Sequence, residues 1–97
     1  MIRHTVLLSL DGTGEEAIST VIEELRALPA LIPEIMRYSV ERDLGLQAGT
    51  AHVVIVGDFA SVDDYRTYSA HPEHVRVIDD HIRPHMTGLL RAQVELP

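Results

Sequence analysis

Residues 51–59 read AHVVIVGDF. Val53, Val54, Ile55 and Val56 are β-branched or long apolar side chains that fall on both faces, as in a strand flanked by neighbours on each side. Downstream the period changes. Ser61 followed three residues later by Asp64 is a capping-box pattern and predicts a short helix through about Ala70. Pro72 suits the first turn of another helix, because its missing N–H has no intrahelical partner there anyway. That helix runs through Val75, Ile78 and Ile82 until Pro84 kinks or ends it. Leu90, Ala92, Val94 and Leu96 then alternate with Arg91, Gln93 and Glu95, a last strand.

Upstream, Gly45–Thr50 reads as a loop and Ile35–Asp43 as a second strand. Met36, Tyr38 and Val40 occupy one face of it. Arg37, Ser39 and Glu41 on the other suit an edge position. Ile18, Val21, Ile22, Leu25 and Leu28 form one apolar stripe at helical spacing, with Glu15, Glu16, Ser19, Glu23 and Arg26 on the wet side. Thr13 with Glu16 predicts the helix start, and Pro29 and Pro33 end it. Residues 2–10, IRHTVLLSL, place Ile2, His4, Val6, Leu8 and Leu10 on one face of a first strand.

The order is therefore strand, helix, strand, strand, helix, strand. It predicts an α+β, ferredoxin-like βαββαβ unit: a four-stranded antiparallel sheet with its helices on one face. The 97 residues fit a single domain, 1–97. Both helical segments cover the same face. The other keeps Leu7 and either Val53, Ile55 and Phe59 or Val54 and Val56, an apolar surface that predicts a two-fold homodimer with sheets packed face to face.

Composition narrows the chemistry. The chain has 15 acidic and 8 basic residues, a net charge of −7, and no cysteine. That excludes a thiolate nucleophile, and it argues against nucleic acid and against a polybasic membrane anchor. All eight cations are arginine, so a lysine Schiff base is excluded too. No apolar run is long enough to cross a membrane and the first residues do not read as a signal peptide, so a cytoplasmic location is expected.

Six histidines stand out. His71, His74, His81 and His85 lie close together, and three of them share a helical stripe with Ile78. No established zinc spacing is present and Pro84 disturbs the stripe, so metal is not the expected use. His4, on the apolar face of the first strand, needs a hydrogen-bond partner. His52 starts the central strand. If both point at the helices, they line a polar-walled cavity, though an ordinary antiparallel register sets them toward opposite ends. Tyr65 and Tyr68 are one turn apart, and Tyr68 lies six residues before His74. A phenol that polarises a carbonyl beside an imidazole that takes a proton is an acid–base pair; the alternative at this point is that Tyr68 only packs and caps.

The run from Asp64 to His74, D-Y-x-x-Y-x-x-H-P-x-H, together with the opening I-R-H-T-V, the L-P-x-x-I-P after the first helix and the strand after His52, resembles the stress-responsive A/B-barrel (Dabb) family. The resemblance runs nearly end to end. It implies a dimeric α/β barrel. One member is a plant polyketide cyclase that makes olivetolic acid by intramolecular aldol condensation without a cofactor. By this resemblance His74 is the catalytic histidine, Tyr68 its partner, and His4 and His52 substrate-binding pocket residues. A second pocket tyrosine of that relative falls on Leu25 here. The implied function is a cofactor-independent enzyme acting on a small hydrophobic or aromatic carbonyl compound by cyclisation, isomerisation or decarboxylation. The alternative is a non-catalytic, ligand-binding dimer.

Overall fold

The computed structural model describes residues 1–11 and 14–97. Strand β1 (Ile2–Leu10) is followed by helix α1 (Glu15–Arg26) and a single 3₁₀ turn, Leu28–Ala30. Strands β2 (Arg37–Arg42) and β3 (Val53–Phe59) come next. Helices α2 (Val62–Ala70) and α3 (Pro72–Val77) lead into a π turn (Ile78–Ile82), and β4 (Met86–Glu95) closes the fold. The expected cap at Thr13 lies outside the described residues. The sheet order is β2-β3-β1-β4 and every pairing is antiparallel.

Alternation in β1 decides the core. His4, Val6, Leu8 and Leu10 are buried on the inner face. They meet Ile18, Val21, Ile22 and Leu25 of α1 and Leu28 just beyond it. On β3 the inner set is Val53, Ile55 and Phe59. Gly57 shares that face, where a Cβ would stand 3.2 Å from both the Phe59 and Tyr38 rings. The glycine is what lets the two rings approach the strand.

The outer face is left uncovered by the helices. Register sets Val54, Leu7 and Leu90 side by side across three strands, with Val56, Thr5 and Ala92 in the next row. Leu90 is 68% exposed and Leu7 39%. Beyond them Arg3 clamps the buried Asp58 carboxylate with bonds of 2.9 and 3.0 Å. The guanidinium holds that carboxyl below the ordinary range.

Three strand starts differ from the sequence expectation. β2 starts at Arg37 rather than Ile35, and β3 at Val53 rather than Ala51. β4 starts four residues before Leu90. Met86, Thr87 and Gly88 show no alternation, and only pairing with Leu10 and Ser9 makes them strand. Among the described residues no helix is long and apolar enough to cross a membrane.

Candidate functional site

The site lies between the sheet and α2–α3, and local capping aims its side chains. Ser61 Oγ accepts the Asp64 N–H at 3.1 Å and starts α2. One turn apart on α2, Tyr65 and Tyr68 pack toward the sheet. His71 ends α2 and begins α3: its Nδ1 accepts the Glu73 N–H at 3.1 Å, with Pro72 at the first position. This sharp joint folds α3 back so that the His74 ring sits on Tyr68, centroids 4.3 Å apart. His74 Nδ1 then lies 3.0 Å from the Ser69 carbonyl oxygen. A carbonyl only accepts, so Nδ1 carries the proton and Nε2 keeps the free lone pair.

His4 arrives from β1. Its register opposite Gln93 brings the Gln93 side-chain amide within 2.8 Å of its Nδ1. With the amide nitrogen donating, the His4 proton sits on Nε2. The ring centroid is 4.9 Å from that of Tyr65 and 6.2 Å from that of Tyr68. Burial, assisted by His74 and Arg91, pushes the His4 pKa down from 6.5 to about 4. Burial also lowers that of His74, against the opposing hydrogen bond to Ser69. Both imidazoles are therefore neutral near physiological pH.

The structure adds a residue the sequence did not single out. Tyr38 of β2 reaches across the core and its hydroxyl lies 2.8 Å from the Tyr68 hydroxyl. Burial raises both phenols, Tyr38 to about 12 and Tyr68 further, so both stay protonated. Tyr68 is 2% exposed and would be costly to bury without this partner. The one available signal was the placement of Tyr38 on the apolar face of an edge strand. Gln93 and Arg91 were likewise legible only as alternating polar positions.

A cavity of about 330 Å³ opens among these groups. Val6, Leu8, Leu25 and Ile55 give it an apolar floor, and His4, Tyr68, His74, Arg83 and Arg91 bring polar atoms to its wall. Three of the four expected site residues thus converge: His4, Tyr68 and His74. His52 does not. Its Nδ1 accepts the Leu10 N–H at 2.9 Å and its N–H donates to the Leu8 carbonyl. β1 pairs His4 with Gly57 and Leu8 with Val53, so His52 lies at the far end of the sheet. The separation along β3 is roughly 17 Å. His52 also shares its phase with the outer-face residues Val54 and Val56 rather than with the inner set. It satisfies backbone at the end of β1 and takes no part in the cavity wall.

The remaining histidines disperse. His81 Nε2 is 3.6 Å from Glu24, and His85 Nδ1 is 3.6 Å from Asp11.

Comparison with known proteins agrees with this architecture. The sequence model of the Stress responsive A/B Barrel Domain family, Dabb, matches residues 2–95. A stress-response A/B barrel domain-containing protein of Arabidopsis thaliana is 30% identical over 86 residues, covering 87% of this chain and 32% of that protein. The chain thus spans about a third of the length of that curated relative. A dimeric ferredoxin-like protein of unknown function from Thermobifida fusca YX superposes with a TM-score of 0.87 at 34% identity, covering 98% of this chain and 90% of that one. The hydroxynitrile lyase of Passiflora edulis shares the fold, with a TM-score of 0.84 at 18% identity and coverage of 99% and 93%.

Proposed function

We propose that this chain, which belongs to the stress-responsive A/B barrel domain family, is a cofactor-independent enzyme that moves a proton next to a carbonyl group. The observation that carries the reading is the neutral His74, tethered through Nδ1 to Ser69 and left with one basic nitrogen at the edge of a partly open, largely apolar cavity. His74 Nε2 takes a proton from the carbon beside the substrate carbonyl. The C–H electron pair becomes a C=C bond and the carbonyl oxygen becomes an enolate. When Tyr38 donates to Tyr68, the Tyr68 O–H is available to that oxygen. The enolate carbon then attacks a second carbonyl carbon of the same molecule, and the imidazolium returns its proton to the new alkoxide. Isomerisation follows instead if the enolate is conjugated with a C=C bond and the imidazolium delivers the proton to a different carbon of that dienolate. His4, neutral and held by Gln93, serves as wall and hydrogen-bond donor through Nε2.

The uncovered face around Leu7, Val54 and Leu90 fits a face-to-face homodimer, and the Thermobifida protein is described as dimeric.

The test is deuterium uptake at the benzylic carbon of phenylpyruvate in heavy water. Wild-type protein is expected to accelerate uptake, and His74→Ala to lose about 10²–10³ of that acceleration. No acceleration over buffer by the wild type sinks the enzyme reading. One observation favours a second reading, a ligand-binding dimer without catalysis: the Tyr68 hydroxyl already has a partner in Tyr38. That reading expects binding of phenylpyruvate without proton exchange.

A further inference from the structure

The charge of the cavity wall is opposite to that of the protein. The chain carries 15 acidic residues and 8 arginines. Yet no Asp or Glu lines the cavity, whereas Arg83 and Arg91 do. Arg83 is held by Asp79, with Nε 3.1 Å from Oδ1. Five of the eight arginines are ion-paired in this way: Arg3, Arg26, Arg42, Arg76 and Arg83. Arg91 has neither an ion pair nor a side-chain hydrogen bond among the described residues. It stands on the inner face of β4 opposite Val6, one inward position from the Gln93 that holds His4.

Arg91 is exposed at the rim of the cavity, and no group of the wall pairs with its guanidinium. A ligand carboxylate supplies what the wall lacks, since its two oxygens match the guanidinium fork. We propose that Arg91 anchors the carboxylate of an acid, so that the cavity selects small anions with an apolar body over their neutral counterparts. The apolar floor receives the body, and the reacting carbon then lies between the anchored head and the His74 side of the cavity. The inference takes the cavity as a substrate site, as above, but requires no catalysis by His74.

Hydrocinnamate and its neutral amide, hydrocinnamamide, share a skeleton and differ in charge. Their affinities can be read by NMR titration of the wild type, Arg91→Gln, Arg91→Lys and Arg66→Gln. Arg66 is exposed and outside the cavity, so its variant removes the same net charge without touching the site. The wild type is expected to prefer the carboxylate by roughly 10-fold or more. Arg91→Gln should abolish the preference, Arg91→Lys should keep part of it, and Arg66→Gln should keep all of it. Equal binding of acid and amide by the wild type overturns the proposal. So does a preference that survives Arg91→Gln, or no binding of either probe at millimolar concentration. A carboxylate preference in a protein that fails the phenylpyruvate exchange test would retain this anchor and remove the catalytic reading alone.

Discussion

Replacing His4 with Asn should change how the fold responds to acid more than it changes the fold itself. His4 is 5% exposed, and its pKa is pushed from 6.5 to about 4. Above 6.5 both the folded and unfolded chains carry a neutral ring there. Between 6.5 and about 4 the unfolded chain takes up a proton that the folded chain refuses, so stability falls with the pH. Below about 4 both states are protonated and this contribution is gone. A depression of that size is worth about 3 kcal/mol, all of it present at neutral pH and lost on acidification. Around the ring stand Tyr65 and Tyr68 from α2, His74 from α3, and Arg91 and Gln93 from β4, and none of them is a carboxylate that would offset the loss. Urea unfolding at one protein concentration, repeated from about pH 7 down to about pH 4, measures it, because a dimer makes apparent stability concentration-dependent. His74 is also depressed and steepens the wild-type curve in the same direction. The difference between wild type and His4→Asn isolates His4. The variant starts less stable, having lost ring contacts with Tyr65, but its curve should be flatter by about 3 kcal/mol over that range. Parallel curves, or a His4 ring proton that titrates near 6.5 by NMR, would refute the buried, neutral histidine.

The other expectations concern the tyrosine pair and the two sheet faces. Tyr38→Phe and Tyr68→Phe each leave a buried hydroxyl without its partner, at about 1–3 kcal/mol apiece by urea unfolding. The double variant should cost less than the two singles together, and strict additivity would show that the hydroxyls do not bond. Gly57→Ala puts a Cβ 3.2 Å from the Tyr38 and Phe59 rings. It should destabilise by about 1–3 kcal/mol, and unchanged stability would mean the rings have room to move. Leu7→Glu sets a charge in the middle of the uncovered sheet face. The wild type is expected to sediment as a dimer and the variant as a monomer, and a dimeric variant would place the interface elsewhere.

The elements, and the faces of β1 and α1, were legible in the sequence because periodicity is local, whereas β3 is apolar on both faces and did not declare its inner one. The alternation of Ile2 to Leu10 and the stripe from Ile18 to Leu28 each report which side meets the core, whatever the chain does elsewhere. Ser61 and Asp64 marked a helix start because a cap is a contact over three residues. His74 and Tyr68 were legible as a pair for a similar reason: one short joint at His71–Pro72 brings their rings together. The start of β4 was not legible. Met86–Gly88 carry no pattern and are strand only because Leu10 and Ser9 lie beside them.

What the tertiary structure alone decided is which distant positions meet. Antiparallel register, set across long loops, brings His4 to Gln93 and to the tyrosines of α2, and sends His52 to the other end of the same strand pair. It also joins Tyr38 to Tyr68 from opposite layers and leaves Arg91 without a carboxylate in an acidic protein. By itself the sequence determined the order of elements, the buried faces of β1 and α1 and the His–Tyr pair, since these depend on neighbours within a few turns; which face of β3 turns inward was settled only by the fold. Partners thirty to ninety residues apart depend on how strands slide past one another. A slide by two residues keeps every apolar side chain on its face while changing every partner.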